Sequence, residues 1–239
     1  MLLLKDRRFD LDKIQFIVVD IDGTLWDQYD ADADEVKELA AFGRILNLSG
    51  PELGELITQE KKRLRTTRGR KFSMYEVLLL LGVKPHDMTA IRCQIYQPQA
   101  TVNQALVGLV RDLSLNYHAV FGTNSPVPIG QQVINLLGLR QVVDEQKSPV
   151  WGFENLNCFK PNPLFFARIC NRMNWCADLC LSIGDSKHKD GLAALTAGFN
   201  AGIIVENPSD ICSLIPLLIN RDWETIKSFP CAVSSLEYR

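Results

Sequence analysis

Paired cysteines, long apolar runs, internal repeats and a strong charge of either sign are all missing from this chain, and each absence removes a class of function. The seven cysteines, at positions 93, 158, 170, 176, 180, 212 and 231, form no CxxC pair. A disulfide framework or a structural zinc site needs regular spacing, so reduced, mostly buried thiols of a cytoplasmic protein are expected. The longest apolar stretches, residues 77–81 and 211–219, are too short or too interrupted to span a bilayer. Residues 1–4 are apolar, but Lys5, Asp6, Arg7 and Arg8 follow at once, which leaves no signal-peptide core. A net charge of −2 offers no general attraction to nucleic acid or to an anionic membrane. The expected partner is a small polar molecule.

The length of 239 residues exceeds the usual single domain and falls short of two full ones, which suggests one core with a modest insertion. The chain is organised around DIDGTLW, residues 20–26, which follows the apolar run Ile14, Phe16, Ile17, Val18, Val19. A β-branched run that stops at carboxylates and a glycine reads as a buried strand ending in a polar loop. Gly23 allows a turn that swings Asp22 beside Asp20. Two carboxylates held close repel, and a bound cation keeps both ionised. A metal-assisted site is the first expectation, with Asp20 as a nucleophile towards phosphorus and Asp22 as the proton carrier. Taken alone, the same residues would also suit a capped turn or a fragment of a calcium loop.

Residues 27–102 read as helical throughout. Val36, Leu39, Ala40, Gly43 and Leu46 fall on one face of a helix over 34–48, and Pro51 opens a second helix carrying Leu53, Leu56 and Ile57. Ser73 with Glu76 matches a capping box before residues 77–81, Gly82 is a natural stop, and Pro85 starts a helix through Ile91 and Ile95. A basic run (Lys61, Lys62, Arg63, Arg65, Arg68, Arg70, Lys71) is placed between the second and third helices. It reads as a solvated face, with Arg65, Arg68 and Arg70 as candidates for recognising a substrate's extra negative charge.

From Val102 helices alternate with short apolar strands, the strands being expected near 117–122, 142–143, 179–183 and 201–205. A helix over 211–219 is expected to break early at Pro216, and residues 221–239 give weak signals. Alternating βα units imply a doubly wound parallel sheet with helices on both faces. In such a sheet the strand ends share an edge, where Asp20, Asp22, Thr123, Asn124, Lys160, Asp185 and Asp190 would converge. Thr123 and Asn124 would donate to phosphoryl oxygens, Lys160 would offset negative charge, and Asp185 would complete an oxygen-rich Mg²⁺ shell with Asp190 outside it.

This set resembles the haloacid dehalogenase superfamily of Mg²⁺-dependent phosphohydrolases: DIDGTL as the first motif, the strand into Thr123 and Asn124 as the second, Lys160 in KPNP as the third, and GDSKHKD before GLAALTAG as the fourth. The resemblance implies an α/β, Rossmann-like core formed by residues 1–27 and 103–239, with a helical cap over 28–102. It implies Asp20 as the aspartyl nucleophile, Asp22 as acid/base and Lys160 as a catalytic cation. It also implies phosphate binding by Thr123, Asn124 and Gly23, and Mg²⁺ held by Asp20, the Asp22 carbonyl and Asp185. The short chain between Thr123 and Lys160 leaves little room for the family's alternative α/β cap. Cap closure is expected to exclude water, with hinges near 27–30 and 99–102.

An aspartate at position 22 suits phosphate esters better than carbon–halogen bonds, because an ester leaving group needs a proton. The leading expectation is a phosphohydrolase for a small organic phosphate. A phosphomutase built on the same motifs and a binding or regulatory protein without turnover are the alternatives. Trp26 stands where this subclass often has a smaller apolar residue, and its role is open.

Overall fold

The apolar run ahead of Asp20 forms strand β2 (Phe16–Asp20), whose last four residues are buried. The computed structural model describes residues 1–5, 10–26, 31–69, 71–96, 104–141 and 149–230. The other strands are β1 (Leu2–Lys5), β3 (His118–Gly122), β4 (Val150–Trp151), β5 (Cys180–Gly184) and β6 (Ala201–Ile204), and the sheet order is β1-β6-β5-β2-β3-β4. β2 lies between β3 and β5, parallel to both, with Asp20 opposite Gly122 and Val19 opposite Ile183. The carboxyl ends of these three strands therefore meet on one edge, where the winding of the sheet reverses.

Both faces of the sheet are covered, which is why β2 and β3 are near-continuous apolar runs rather than alternating ones. On one face Ile17 and Val19 pack with α5 (Gln104–Asn116), α6 (Val127–Leu136), α10 (Pro208–Ile219) and α11 (Trp223–Lys227). On the other, Val18 and Val120 meet α7 (Phe153–Leu156), α8 (Leu164–Met173) and α9 (Ala193–Thr196). The α/β, doubly wound reading of the sequence is the fold observed.

Among the described residues four helices stand between β2 and α5: α1 (Ala31–Leu46), α2 (Gly50–Arg68), α3 (Met74–Leu80) and α4 (Pro85–Ile95). They share a core of Phe42, Leu53, Ile57, Leu64, Val77, Leu78, Val83 and Met88, which Phe153 and Phe159 join from the sheet side. The capping box at Ser73 and Glu76 is formed, and a second one, Ser49 with Glu52, starts α2.

Several expectations need correction. Val36 is 66% exposed, whereas Leu39, Gly43 and Leu46 of the expected face do turn inward, joined there by Phe42 and Glu38. The basic run is not a connection between helices: Lys61 to Arg68 belong to the last turns of α2. Helix α10 does not break at Pro216. Burial of Ile211, Leu214, Ile215 and Leu218 offsets the roughly 3 kcal/mol that an interior proline costs. The apolar start of the chain belongs to an antiparallel edge strand, β1, in which Leu3 and Leu4 are fully buried. In the weakly patterned segment after 221, Trp223 and Ile226 enter the core. The strand expected at 142–143, the hinges expected near 27–30 and 99–102, Arg70, and residues 231–239 with Cys231 lie outside the described residues.

The described cysteines are free thiols, with Cys170 and Cys180 sulfurs 3.8 Å apart. Among the described residues no helix is long and apolar enough to cross a membrane.

Candidate active site

At the end of β2 the Asp20 carboxylate is buried, and its Oδ1 accepts from Lys160 Nζ at 2.5 Å while Oδ2 accepts from Thr24 Oγ1 at 3.3 Å. The buried Lys160 ammonium also donates to Asp190 Oδ1 at 2.7 Å and to the Gly122 carbonyl at 3.3 Å. Asp190 is delivered by a π-helical turn over Lys187–Leu192, in which Gly191 N–H donates to the Ser186 carbonyl at 3.3 Å. Such wide turns recur at functional sites because they re-aim a side chain. The Asp190 side chain passes so close to the end of β5 that a Cβ at Gly184 would sit 2.3 Å from its Cγ.

Two buried carboxylates thus face one ammonium. Burial raises the Asp20 pKa well above the usual carboxylate range; Lys160 opposes this, while Asp190 and Asp22 add to it. For Lys160, burial alone would lower the pKa, but Asp190 and Asp20 outweigh it and the ammonium keeps its proton. Asp185, whose side chain stands at the exposed end of β5, is raised by burial and by Asp190 and lowered by Lys160 and Lys189.

Asp22 is held separately. A tight turn, with Gly23 N–H donating to the Trp26 carbonyl at 2.9 Å, brings the Trp26 indole Nε1 to 3.3 Å from Asp22 Oδ1. Thr123 Oγ1 donates to Asp22 Oδ2 at 2.7 Å and accepts from Ser125 N–H at 2.8 Å. Gly23 has φ +79°, and a Cβ there would lie 2.6 Å from Asp185 Oδ2, so a side chain at this position would occupy the space beside that carboxylate.

Asn124 lines the cavity, but its side-chain amide is engaged with the third motif. Its Nδ2 donates to the Lys160 carbonyl at 2.9 Å and its Oδ1 accepts from Lys160 N–H at 2.8 Å, closing a two-way clasp across a cis Lys160–Pro161 peptide segment.

Carboxylate oxygens of Asp20, Asp185 and Asp190 lie within 4.8 Å of one another. An all-oxygen set of this kind, with Gly23 leaving room beside Asp185, fits a hard divalent cation. Asp190, expected outside the metal shell, is part of this cluster, although both its oxygens already accept from Lys160 and Ser186 N–H.

A cavity of about 770 Å³ opens over these residues, lined by Asp20, Asp22, Asn124, Lys160 and Asp185 from the sheet edge and by Lys61, Lys71, Tyr75 and Arg92 from the helical side. Arg65 and Arg68 are exposed on α2 and do not line it; of the described residues of the basic run, Lys61 and Lys71 reach the cavity. Burial lowers the pKa of Lys61. The role of Trp26, left open by the sequence, is an indole bond to Asp22, while the buried pair Glu38 and Arg92 carries no sequence signal. The pair is 54 positions apart and follows no local pattern.

A family model described as a haloacid dehalogenase-like hydrolase matches residues 14–198. Among solved structures, a 2-haloacid dehalogenase from Pseudomonas syringae pv. tomato DC3000 is 19% identical with a TM-score of 0.50, covering 87% of this chain and 99% of that one. A haloacid dehalogenase-like family hydrolase from Xanthomonas campestris is 17% identical with a TM-score of 0.52, covering 89% and 95%. These two likenesses concern the fold. No curated protein matches the chain in sequence.

Proposed function

The chain belongs to the haloacid dehalogenase-like hydrolases, and from that membership we propose that it is a Mg²⁺-dependent phosphohydrolase acting on a small phosphate ester. The observation that carries this reading is the Asp22 carboxylate, held beside Asp20 at the cavity by Thr123 Oγ1 and Trp26 Nε1. An alkoxide leaving group needs a proton and a departing halide does not, so an oriented acid/base group favours ester chemistry.

In the first half-reaction an Asp20 oxygen forms a bond to phosphorus as the ester P–O bond breaks, and Asp22 gives its proton to the leaving oxygen. In the second, Asp22 takes a proton from water as that water attacks the aspartyl-phosphate. The bond between phosphorus and Asp20 breaks, and inorganic phosphate leaves. Lys160 balances charge on Asp20 and on the phosphoryl group throughout. Asp20 and Asp185, with the Asp22 carbonyl, would hold Mg²⁺, which would supply electrostatic screening of the phosphate. The Asn124 clasp orients the Lys160 backbone. Residues 28–102 serve as the cap, and Lys61 and Lys71 are its specificity contacts towards a negatively charged substrate.

The test is phosphate release from sugar phosphates, nucleoside monophosphates, phosphorylated acids and an aryl phosphate, with and without Mg²⁺, beside Asp20→Asn. Turnover that requires Mg²⁺ and is lost in the variant is the expected result. No release from any of them by folded, Mg²⁺-binding protein would refute the reading.

A further inference from the structure

Arg92 sits in α4 with 4% of its surface exposed, in a stretch that carries no motif. Its Nε donates to Glu38 Oε1 at 2.9 Å, and its guanidinium carbon lies 3.9 Å from the centre of the Tyr75 ring. The Tyr75 hydroxyl donates to the other Glu38 oxygen at 3.0 Å. For stability alone such a buried ion pair is a poor choice, since apolar side chains of similar volume commonly do as well. The guanidinium has a further contact: Nη1 donates to the Asn124 carbonyl at 2.6 Å. Asn124 is the residue whose side chain grips both backbone groups of Lys160, and Lys160 Nζ holds Asp20.

We propose that Arg92 is a positioning residue for the hydrolytic site, fixing the Asn124 loop from the helical layer and through it the placement of Lys160 against Asp20. This rests on the phosphohydrolase reading above. The path runs through short hydrogen bonds between buried or half-buried groups, so a shift of Asn124 passes to the lysine backbone. A misplacement of about 1 Å at a reacting group costs on the order of 10²-fold in rate. Lysine cannot replace Arg92, because one ammonium on a straight stem does not reproduce the rigid fork that engages Glu38 and the Asn124 carbonyl together.

The experiment compares kcat, KM and thermal midpoint for the wild type, Arg92→Lys, the charge-free pair Arg92→Met with Glu38→Gln, and Val77→Ala. The last opens a cavity in the same helical layer without touching the path. Expected are a fall in kcat of roughly 10-fold or more for both Arg92 variants with KM within about 3-fold, and near-wild-type kcat for Val77→Ala despite its lower midpoint. If Arg92→Lys does not fold, the double variant is read by the same criteria. Unchanged kcat in a folded Arg92 variant, a rise in KM alone, or a kcat that follows the midpoint through Val77→Ala would each overturn the assignment. Absence of wild-type turnover would instead refute the phosphohydrolase reading, which separates the two failures.

Discussion

Thr123 Oγ1 donates to Asp22 Oδ2 across 2.7 Å, joining the loop after β2 to the loop after β3 over a separation of 101 residues. Thr123 is fully buried and its hydroxyl also accepts from Ser125 N–H, so the group expected to donate to a phosphoryl oxygen here donates to Asp22, the proposed acid/base carboxylate.

Thr123→Val keeps the shape and removes that donor. Hydrolysis of an alkyl phosphate should fall by about 10-fold in kcat, and an aryl phosphate, whose leaving group needs little protonation, should lose less. Trp26→Phe should show the same bias with a smaller loss, because its bond to Asp22 is longer at 3.3 Å. Steady-state kinetics on the two ester classes checks this; equal losses on both would place Thr123 on the phosphate instead.

Lys160→Met would leave Asp20 and Asp190 buried together without their shared cation. The expected cost is about 3–5 kcal/mol of folding stability, as for other buried charges stripped of a partner. Adding Asp190→Asn should return part of it without restoring turnover. Urea unfolding in EDTA measures both effects.

The raised pKa of Asp20 makes stability depend on pH. Above the ordinary value of 3.8 the unfolded chain loses this proton while the folded one retains it, so the folded state binds more protons. Stability from this group is complete below that value and is lost as pH rises through the folded pKa. In EDTA, the thermal midpoint of Asp20→Asn should therefore gain on the wild type as pH increases from about 4 and then level off. A gap that narrows with rising pH would contradict the assignment.

Mg²⁺ should stabilise the folded protein by mass action, by about 2.7 kcal/mol at a concentration 100-fold above its dissociation constant. Asp185→Asn should abolish most of that shift. Thermal unfolding with Mg²⁺ and with EDTA reads this without any substrate.

Phe42→Ala should destabilise by about 3–5 kcal/mol through the cavity left in the helical layer. Val36→Thr, at a position 66% exposed, should stay within about 0.5 kcal/mol. Equilibrium unfolding distinguishes the two.

The amino-acid sequence by itself determined the α/β architecture, the strands that lead into Asp20, Thr123 and Asp185, and the residues gathered on their common edge. Those signals are local: β-branched runs, turn residues after them and caps such as Ser73 with Glu76 act within a few positions. Ser49 with Glu52, which caps α2, is an equally local signal. Which side chains touch was decided only by tertiary structure. That Asn124 clasps Lys160, that Lys61 and Lys71 rather than Arg65 and Arg68 line the cavity, and that Glu38 is buried against Arg92 depend on how the helical layer packs on the sheet. The same holds for Pro216, where the burial of four neighbours overrides a local rule. Hydrogen bonds and ion pairs between residues 36 to 101 positions apart leave no periodic trace along the chain, because their partners meet only after the apolar faces have closed.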